Sequence, residues 1–198
     1  MCDEMETRRL QLRHFTPKDV DELFHIYSNP ELFTYMTNEV SHDKFLLWEQ
    51  TRTIVDSLIE NWQKHRFGVW AVVYKNNQKL IGHCGFKFLE NTKNVQIGYL
   101  LLKSYWGKGL ATEAASAALK YGFETNTFEQ VVAIAKHENI ASRRVMEKLG
   151  MKYEKDAYYY NNHVAYYSIT RSQFAQLSKK AIITPSETPM PTGQWANA

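Results

Sequence analysis

The stretch YWGKGLATEA, residues 105–114, follows an apolar run from Tyr99 to Leu102 and opens an alanine-rich segment with a helical repeat. It places two glycines and a lysine where a strand gives way to a helix. The first N–H groups of a helix have no intrahelical acceptor, and the helix dipole adds positive character, so such a junction attracts anions. Gly107 and Gly109 let the backbone come close to a phosphate, Lys108 adds charge at the rim, and Ala111 and Thr112 keep the first turn small.

Working outward, "VQIGYLLL" (95–102) is the strand that enters the junction and 109–123 the helix that leaves it, with Leu110, Ala114, Ala118 and Tyr121 on one face. Upstream, "FGVWAVVY" and "KLIGHCGFKFL" flank a short Asn-containing turn and read as a hairpin, and "ENTKN" turns the second of these strands into 95–102. Downstream come the strand "QVVAIA", the short helix "NIASRRVMEKLG", and a last hairpin "MKYEKDAYYY-NN-HVAYYSIT". Nearer the start, Arg8 to Phe15 alternates as a strand, Thr16 and Pro17 open a helix carrying Val20, Leu23, Phe24 and Tyr27, and a second helix spans about 42–65. Its apolar stripe runs Phe45, Trp48, Thr51, Val55, Leu58, Ile59 and Trp62, and "ELFTYMTNEVS" (31–41) before it is a candidate cleft lining. Only 95–136 has the βαβ form that implies parallel pairing. The fold class expected is therefore α/β with a central mixed, mostly antiparallel sheet of about seven strands and helices on both faces. Residues 1–7 read as a flexible start, 8–180 as one domain, and the Pro- and Thr-rich 181–198 as a disordered tail.

The 198 residues, 44% hydrophobic and 14% aromatic, suffice for one well-buried core. A net charge of +3 without a long basic block gives no argument for nucleic acid or membrane binding. Two cysteines, Cys2 and Cys84, are too few for a disulfide framework and fit a reducing, cytoplasmic setting. No apolar leader or membrane-length run is apparent.

Three phosphate-binding patterns compete for the glycine loop. A Walker loop fails because Gly109, and not Ser or Thr, follows Lys108. A dinucleotide fingerprint has Thr112 where its third glycine belongs and three antiparallel strands ahead of it. The third match is strongest. "IGYLLLKSYWGKGLATEAASAALKYGFE", followed after a strand by "HENIASRRVMEKLGM", resembles the GCN5-related N-acetyltransferases (GNAT), and within them the branch of ribosomal-protein N-terminal acetyltransferases, RimJ/RimL-like. The family loop Q/R-x-x-G-x-G/A falls on Trp106, Gly109 and Ala111, and the resemblance extends from "RRLQLRHFTPKDVDELF" to about Phe174.

The resemblance implies acetyl-CoA as cosubstrate, no metal, and transfer of the acetyl group to a primary amine by direct attack through a tetrahedral intermediate. It puts the pyrophosphate on the N–H groups of Trp106, Gly107, Lys108, Gly109, Leu110, Ala111 and Thr112, and pantetheine on the backbone of Leu101 and Leu102. The Leu101 N–H is the implied oxyanion donor. Asn139 matches the family asparagine that bonds the cofactor and also reads as a helix N-cap. Ser142 matches the serine near the sulfur. Met146 stands where many relatives carry a tyrosine acid, and Gln96 where many carry a glutamate.

An amine with a pKa near 10 must lose a proton before it attacks. His83, Glu138, His137 and Glu39 are the candidate bases, and His83 falls opposite about Leu100 if "ENTKN" sets the register. A covalent route through Cys84 is a lesser alternative. The acceptor is a protein N-terminal α-amine by resemblance, with polyamines, aminoglycosides and small amines open. Acidic Glu31, Glu39, Asp43 and Glu154 and the tyrosines 158–160, 166 and 167 are candidate acceptor contacts. A chain that binds acyl-CoA as a sensor without turnover is the rival reading, suggested by Gln96 and Met146. Monomer and homodimer are both compatible with the sequence.

Overall fold

The computed structural model describes residues 3–29, 32 and 43–183. Of the candidate cleft lining 31–41 all but Leu32, and so Glu31 and Glu39, lie outside the described residues, as do Cys2 and residues 184–198 of the expected tail.

Among the described residues eight strands form one sheet: β1 (Met5–Glu6), β2 (Leu10–Arg13), β3 (Val69–Tyr74), β4 (Lys79–Phe88), β5 (Val95–Leu101), β6 (Gln130–Lys136), β7 (Lys152–Tyr159) and β8 (Asn162–Thr170). Their order is β1-β2-β3-β4-β5-β6-β8-β7. Every neighbouring pair is antiparallel except β5 and β6, which a helical crossover joins in parallel. The mixed sheet expected from the order of apolar runs is the one observed.

The eighth strand is β1. Residues expected as a flexible arm pair Met5 with Leu12 and Glu6 with Gln11, and the Asp3 carbonyl accepts from the buried Trp70 indole at 2.7 Å. Two residues are too short for a periodic pattern, so only the partner strand reveals them. At the other end, a helix over Arg171–Ile183 runs three residues past the expected boundary.

Helices α1 (Val20–Tyr27) and α2 (Lys44–His65) cover one face, packing on Ala71, Val73 and Leu80. Asp43 caps α2 by accepting from the N–H groups of Phe45 and Leu46 at 2.9 and 3.0 Å. The expected α2 stripe is off at its start: Phe45 is 70% exposed and Leu47 is the buried residue. The opposite face carries α3 (Leu110–Thr125), α4 (Ile140–Lys148) and, past β8, α5 (Arg171–Ile183). Ala114, Ala115 and Ala118 are fully buried on α3. Their small side chains bring that helix axis close to the sheet, and so hold its N-terminus at the end of β5.

Candidate active site

The local chemistry begins where β5 ends. A 3-10 turn at Lys103–Tyr105 leads into Gly107 and Gly109, with φ of 72° and 73°, the left-handed region that glycine alone enters without cost. Gly109 is the N-cap of α3, and the first helical bond runs from the Glu113 N–H to its carbonyl at 3.0 Å. The N–H groups of Leu110, Ala111 and Thr112 precede that bond and point off the helix end. Among the described residues, a Cβ built on Gly107 would meet nothing within 4 Å, and one on Gly109 only the Arg9 guanidinium at 3.7 Å. Open space therefore stands over an end rich in N–H donors, which fits a diphosphate.

Two expected loop donors are spent elsewhere. The Trp106 N–H donates to Lys103 O at 2.9 Å and its indole to Leu101 O at 2.6 Å, so Trp106 braces the turn. The Lys108 ammonium bends back to Ser104 O at 2.9 Å and over the Tyr105 ring. The loop is tied down from an unexpected side: the Arg9 guanidinium donates to Lys108 O at 2.9 Å and to Glu113 at 2.7 Å. Glu113 also accepts from the Arg9 N–H and the Thr7 hydroxyl, at 2.9 and 2.6 Å.

Strand β5 pairs with β6 only at Val95↔Val131 and Gln96↔Val132, although it continues to Leu101. Beyond Gln96 the two strands diverge and leave a wedge in the middle of the sheet. Backbone groups of a strand alternate in direction. The Leu102 N–H donates to Ile81 O at 2.9 Å and so faces β4. The N–H groups of Leu101, Tyr99 and Ile97 therefore face the wedge. This corrects the expectation for Leu102, whose N–H is spent on β4 and whose carbonyl accepts from the Tyr105 N–H.

A cavity of about 770 Å³ passes through the wedge. On the α4 side it meets Asn139, Ser142 and Met146; on the α2 side it meets Tyr27, His83 and Lys87. Asn139 Oδ1 accepts from the Ser142 N–H at 3.0 Å, starting α4 and orienting that serine. Tyr99, which the sequence reading passed over, stands against Ser142: its hydroxyl donates to the Ser142 carbonyl at 2.9 Å and lies 3.1 Å from Oγ. Burial pushes the Tyr99 phenol well above its ordinary pKa, so it stays protonated. Met146, buried on the same side of the cavity, offers no proton.

His83 lies opposite Leu100, the register expected, with Nε2 3.2 Å from the Tyr27 hydroxyl. Burial, aided by the charge of Lys87, pushes its pKa down to about 4, so the ring is neutral at pH 7. The other candidate bases are not brought here. His137 pairs with Asp156 at 3.3 Å on the surface, Glu138 is exposed, and neither lines the cavity. Cys84 points to the opposite face, in the core cluster with Trp70 and Phe86, and burial raises its thiol pKa far above the thiolate range, which removes the covalent route. Asp43 is spent as a cap and Glu154 on the Ser168 hydroxyl.

The acetyltransferase (GNAT) domain family matches residues 9–152. The chain belongs to the GNAT acetyltransferase family. This GNAT is 33% identical to the uncharacterized protein YkkB of Bacillus subtilis (strain 168), over 83% of its own length and 94% of YkkB. It is 30% identical to the uncharacterized N-acetyltransferase p20 of Bacillus licheniformis, over 77% and 84% of the two chains. Among solved structures, a GNAT-family acetyltransferase from Bacillus anthracis superposes with a TM-score of 0.72 at 28% identity, covering 85% of this chain and 99% of that one. RimL, a ribosomal L7/L12 alpha-N-protein acetyltransferase in complex with coenzyme A, shares the fold at 18% identity and a TM-score of 0.70, over 85% and 98%. The enzyme class follows from these relatives: this GNAT is an N-acetyltransferase.

Proposed function

We propose that this GNAT moves an acetyl group from acetyl-CoA directly onto a primary amine, with a protein N-terminal α-amine as its acceptor. The observation that carries the proposal is the wedge between β5 and β6, which joins both faces of the sheet in one cavity on the strand that leads into the glycine loop and the N-terminus of α3. Acetyl-CoA supplies an activated thioester; the chain supplies position and charge. The N–H groups of Leu110, Ala111 and Thr112, with the glycines Gly107 and Gly109, hold the diphosphate, and the Lys108 side chain keeps the loop folded. The wedge-facing N–H groups of Tyr99 and Leu101 align the pantetheine arm, and that of Leu101 stabilises negative charge on the carbonyl oxygen. Asn139 orients Ser142, whose hydroxyl hydrogen-bonds the departing sulfur while Tyr99 holds the serine from behind.

On the other face, the amine attacks in its unprotonated form, its first proton having gone to water, and neutral His83 accepts the second proton once the nitrogen has bonded to carbon and become more acidic, with Tyr27 fixing the ring. The α-amine reading draws on the likeness to RimL, whose own substrate is a protein α-amine. Thiol release from acetyl-CoA across N-terminal peptides, polyamines and aminoglycosides tests it. Release with peptides and formation of an α-N-acetyl product are expected, and release only with polyamines would overturn the acceptor.

The sensor reading has one observation in its favour: a base pushed to pKa of about 4, with Met146 and Gln96 at the positions where relatives carry proton-transfer groups. It predicts that acetyl-CoA raises the Tm while no amine releases thiol.

A further inference from the structure

Between its two ends the acceptor side of the cavity has an unusual floor. Three cross-strand pairs of β4 and β5 follow one another on the α2 face: His83↔Leu100, Gly85↔Gly98 and Lys87↔Gln96. The middle pair has no side chains, and a Cβ on Gly98 would meet no described residue within 4 Å. The result is an open trough with the neutral histidine at one end and an ammonium at the other. Four residues of strand separate them, about 13 Å between Cα atoms.

Lys87 is half-buried on the cavity wall, and among the described residues no carboxylate pairs with it. Its ammonium sits 4.5 Å above the centre of the Tyr160 ring. A half-buried ammonium without a counter-charge is open to an anion, and an aromatic face beneath it compensates only in part. The ring beneath it belongs to a residue in the left-handed region. Tyr160 has φ of 50° and Asn161 φ of 58°, a tight hairpin turn in which asparagine and glycine are the usual residues. The tyrosine is held by its N–H to Glu90 at 2.6 Å and by its hydroxyl to Gln96 Oε1 at 3.4 Å. Strain that fixes an aromatic ring beneath a charge at a cavity wall is the kind found at ligand clamps. Glu49, on the α2 wall opposite, has Arg52 one helical turn away at 3.9 Å.

We propose that Lys87 is the counter-charge for a carboxylate on the acceptor, so that the favoured acceptor is a peptide N-terminus with an acidic side chain at its second or third position. This rests on the acetyl-transfer reading above. An extended peptide advances about 3.3 Å per residue, so with its amine at the His83 end its second and third residues stand about 3 and 7 Å along the trough, and the lengths of an acidic side chain and of the lysine stem span the rest. The same ammonium repels the second charge of a polyamine, which turns one residue into both an attractive and a repulsive selector.

The test compares thiol release from acetyl-CoA with matched short peptides carrying Glu, Gln or Lys at positions two and three, with glutamate and γ-aminobutyrate as small carboxylated amines, and with spermidine. It uses the full chain, Lys87→Met and Lys87→Arg, with thermal melts to establish that each is folded. We expect kcat/KM for the Glu peptides to exceed that for the Gln peptides by about tenfold, to fall to near parity in Lys87→Met and to return in Lys87→Arg. The acetyl-CoA KM should stay within about twofold throughout. Transfer with no acidic preference, or a preference that survives Lys87→Met, overturns the role of Lys87. A preference for glutamate or γ-aminobutyrate over every peptide overturns the peptide as its source. No thiol release with any amine while acetyl-CoA still raises the Tm defeats the transfer reading itself, and this one with it.

Discussion

Ser142 is held from two sides, by the Asn139 cap on its N–H and by the Tyr99 hydroxyl on its carbonyl, and the account gives its own hydroxyl the work at the sulfur. Ser142→Ala should lower kcat roughly 10- to 100-fold with little change in the acetyl-CoA KM, the pattern of a bond made only in the transition state. Tyr99→Phe leaves the serine in place but looser, and a smaller loss is expected from the same initial-rate measurement; equal acetyl-CoA KM and kcat in Ser142→Ala would remove the serine from the reaction. At this scale the sequence was informative wherever spacing along the chain decides a role. Asn139 and Ser142 share one helix turn, and Gly107 and Gly109 one loop, so their grouping is legible without a fold. Tyr99 was not, because its partner lies 43 residues away on another element. Leu101 and Leu102 are chemically alike, and only the pairing of Leu102 with Ile81 decides which N–H faces the wedge.

Between elements, the site depends on two junctions. The first is the divergence of β5 from β6, where the floor is Gly98. Gly98→Val adds a β-favouring side chain into space that no described residue fills, so the Tm should hold within about 2 °C. The branched side chain fills the trough, and kcat/KM for the amine should drop more than about tenfold while acetyl-CoA still binds. Titration calorimetry with acetyl-CoA, run beside the kinetics, separates these effects. The second junction is the strap from β2 to the loop, through Arg9, Thr7 and Glu113. Glu113→Ala removes the acceptor of three hydrogen bonds and should cost roughly 1–3 kcal/mol of stability. It should also raise the acetyl-CoA KM several-fold by freeing the loop, read from denaturant melts and initial rates. The helix-end loop was legible from its glycines, whereas the strap was not, since residues 7 and 9 meet residue 113 only after β2 has joined the sheet.

For the whole molecule, the order of strands and helices and the one parallel pair could be read from apolar periodicity and turn residues, because each element carries its own pattern. What escaped was decided by partners: β1 is a strand only beside β2, and Phe45 is exposed while Leu47 faces α1 and the sheet. The charges of the fold also set its response to acid, in two stages. His83 has a folded pKa of about 4, pushed down by burial and by Lys87, against an ordinary value of 6.5. The unfolded chain therefore takes up that proton first, and stability falls as the pH drops from 6.5 towards 4, by up to about 2 kcal/mol at pH 5. Burial alone would raise the carboxyls of Asp19 and Glu113, but Arg13 with Thr16, and Thr7 with Arg9, hold both below their ordinary values. Their contribution is complete above the unfolded pKa and is lost as the pH falls through the folded one, below about 4. Denaturant melts between pH 7.5 and 3 should show both limbs, with His83→Asn flattening the upper one and Asp19→Asn the lower one. An upper limb unchanged in His83→Asn would mean that the imidazole is not held neutral by its site.

The most direct measurement is a crystal structure of the full chain with coenzyme A. Diphosphate oxygens are expected within hydrogen-bond distance of the N–H groups of Leu110, Ala111 and Thr112, with the pantetheine arm between β5 and β6 and the sulfur beside Ser142 Oγ. A diphosphate bound anywhere else, or a wedge closed by protein side chains, would contradict this placement.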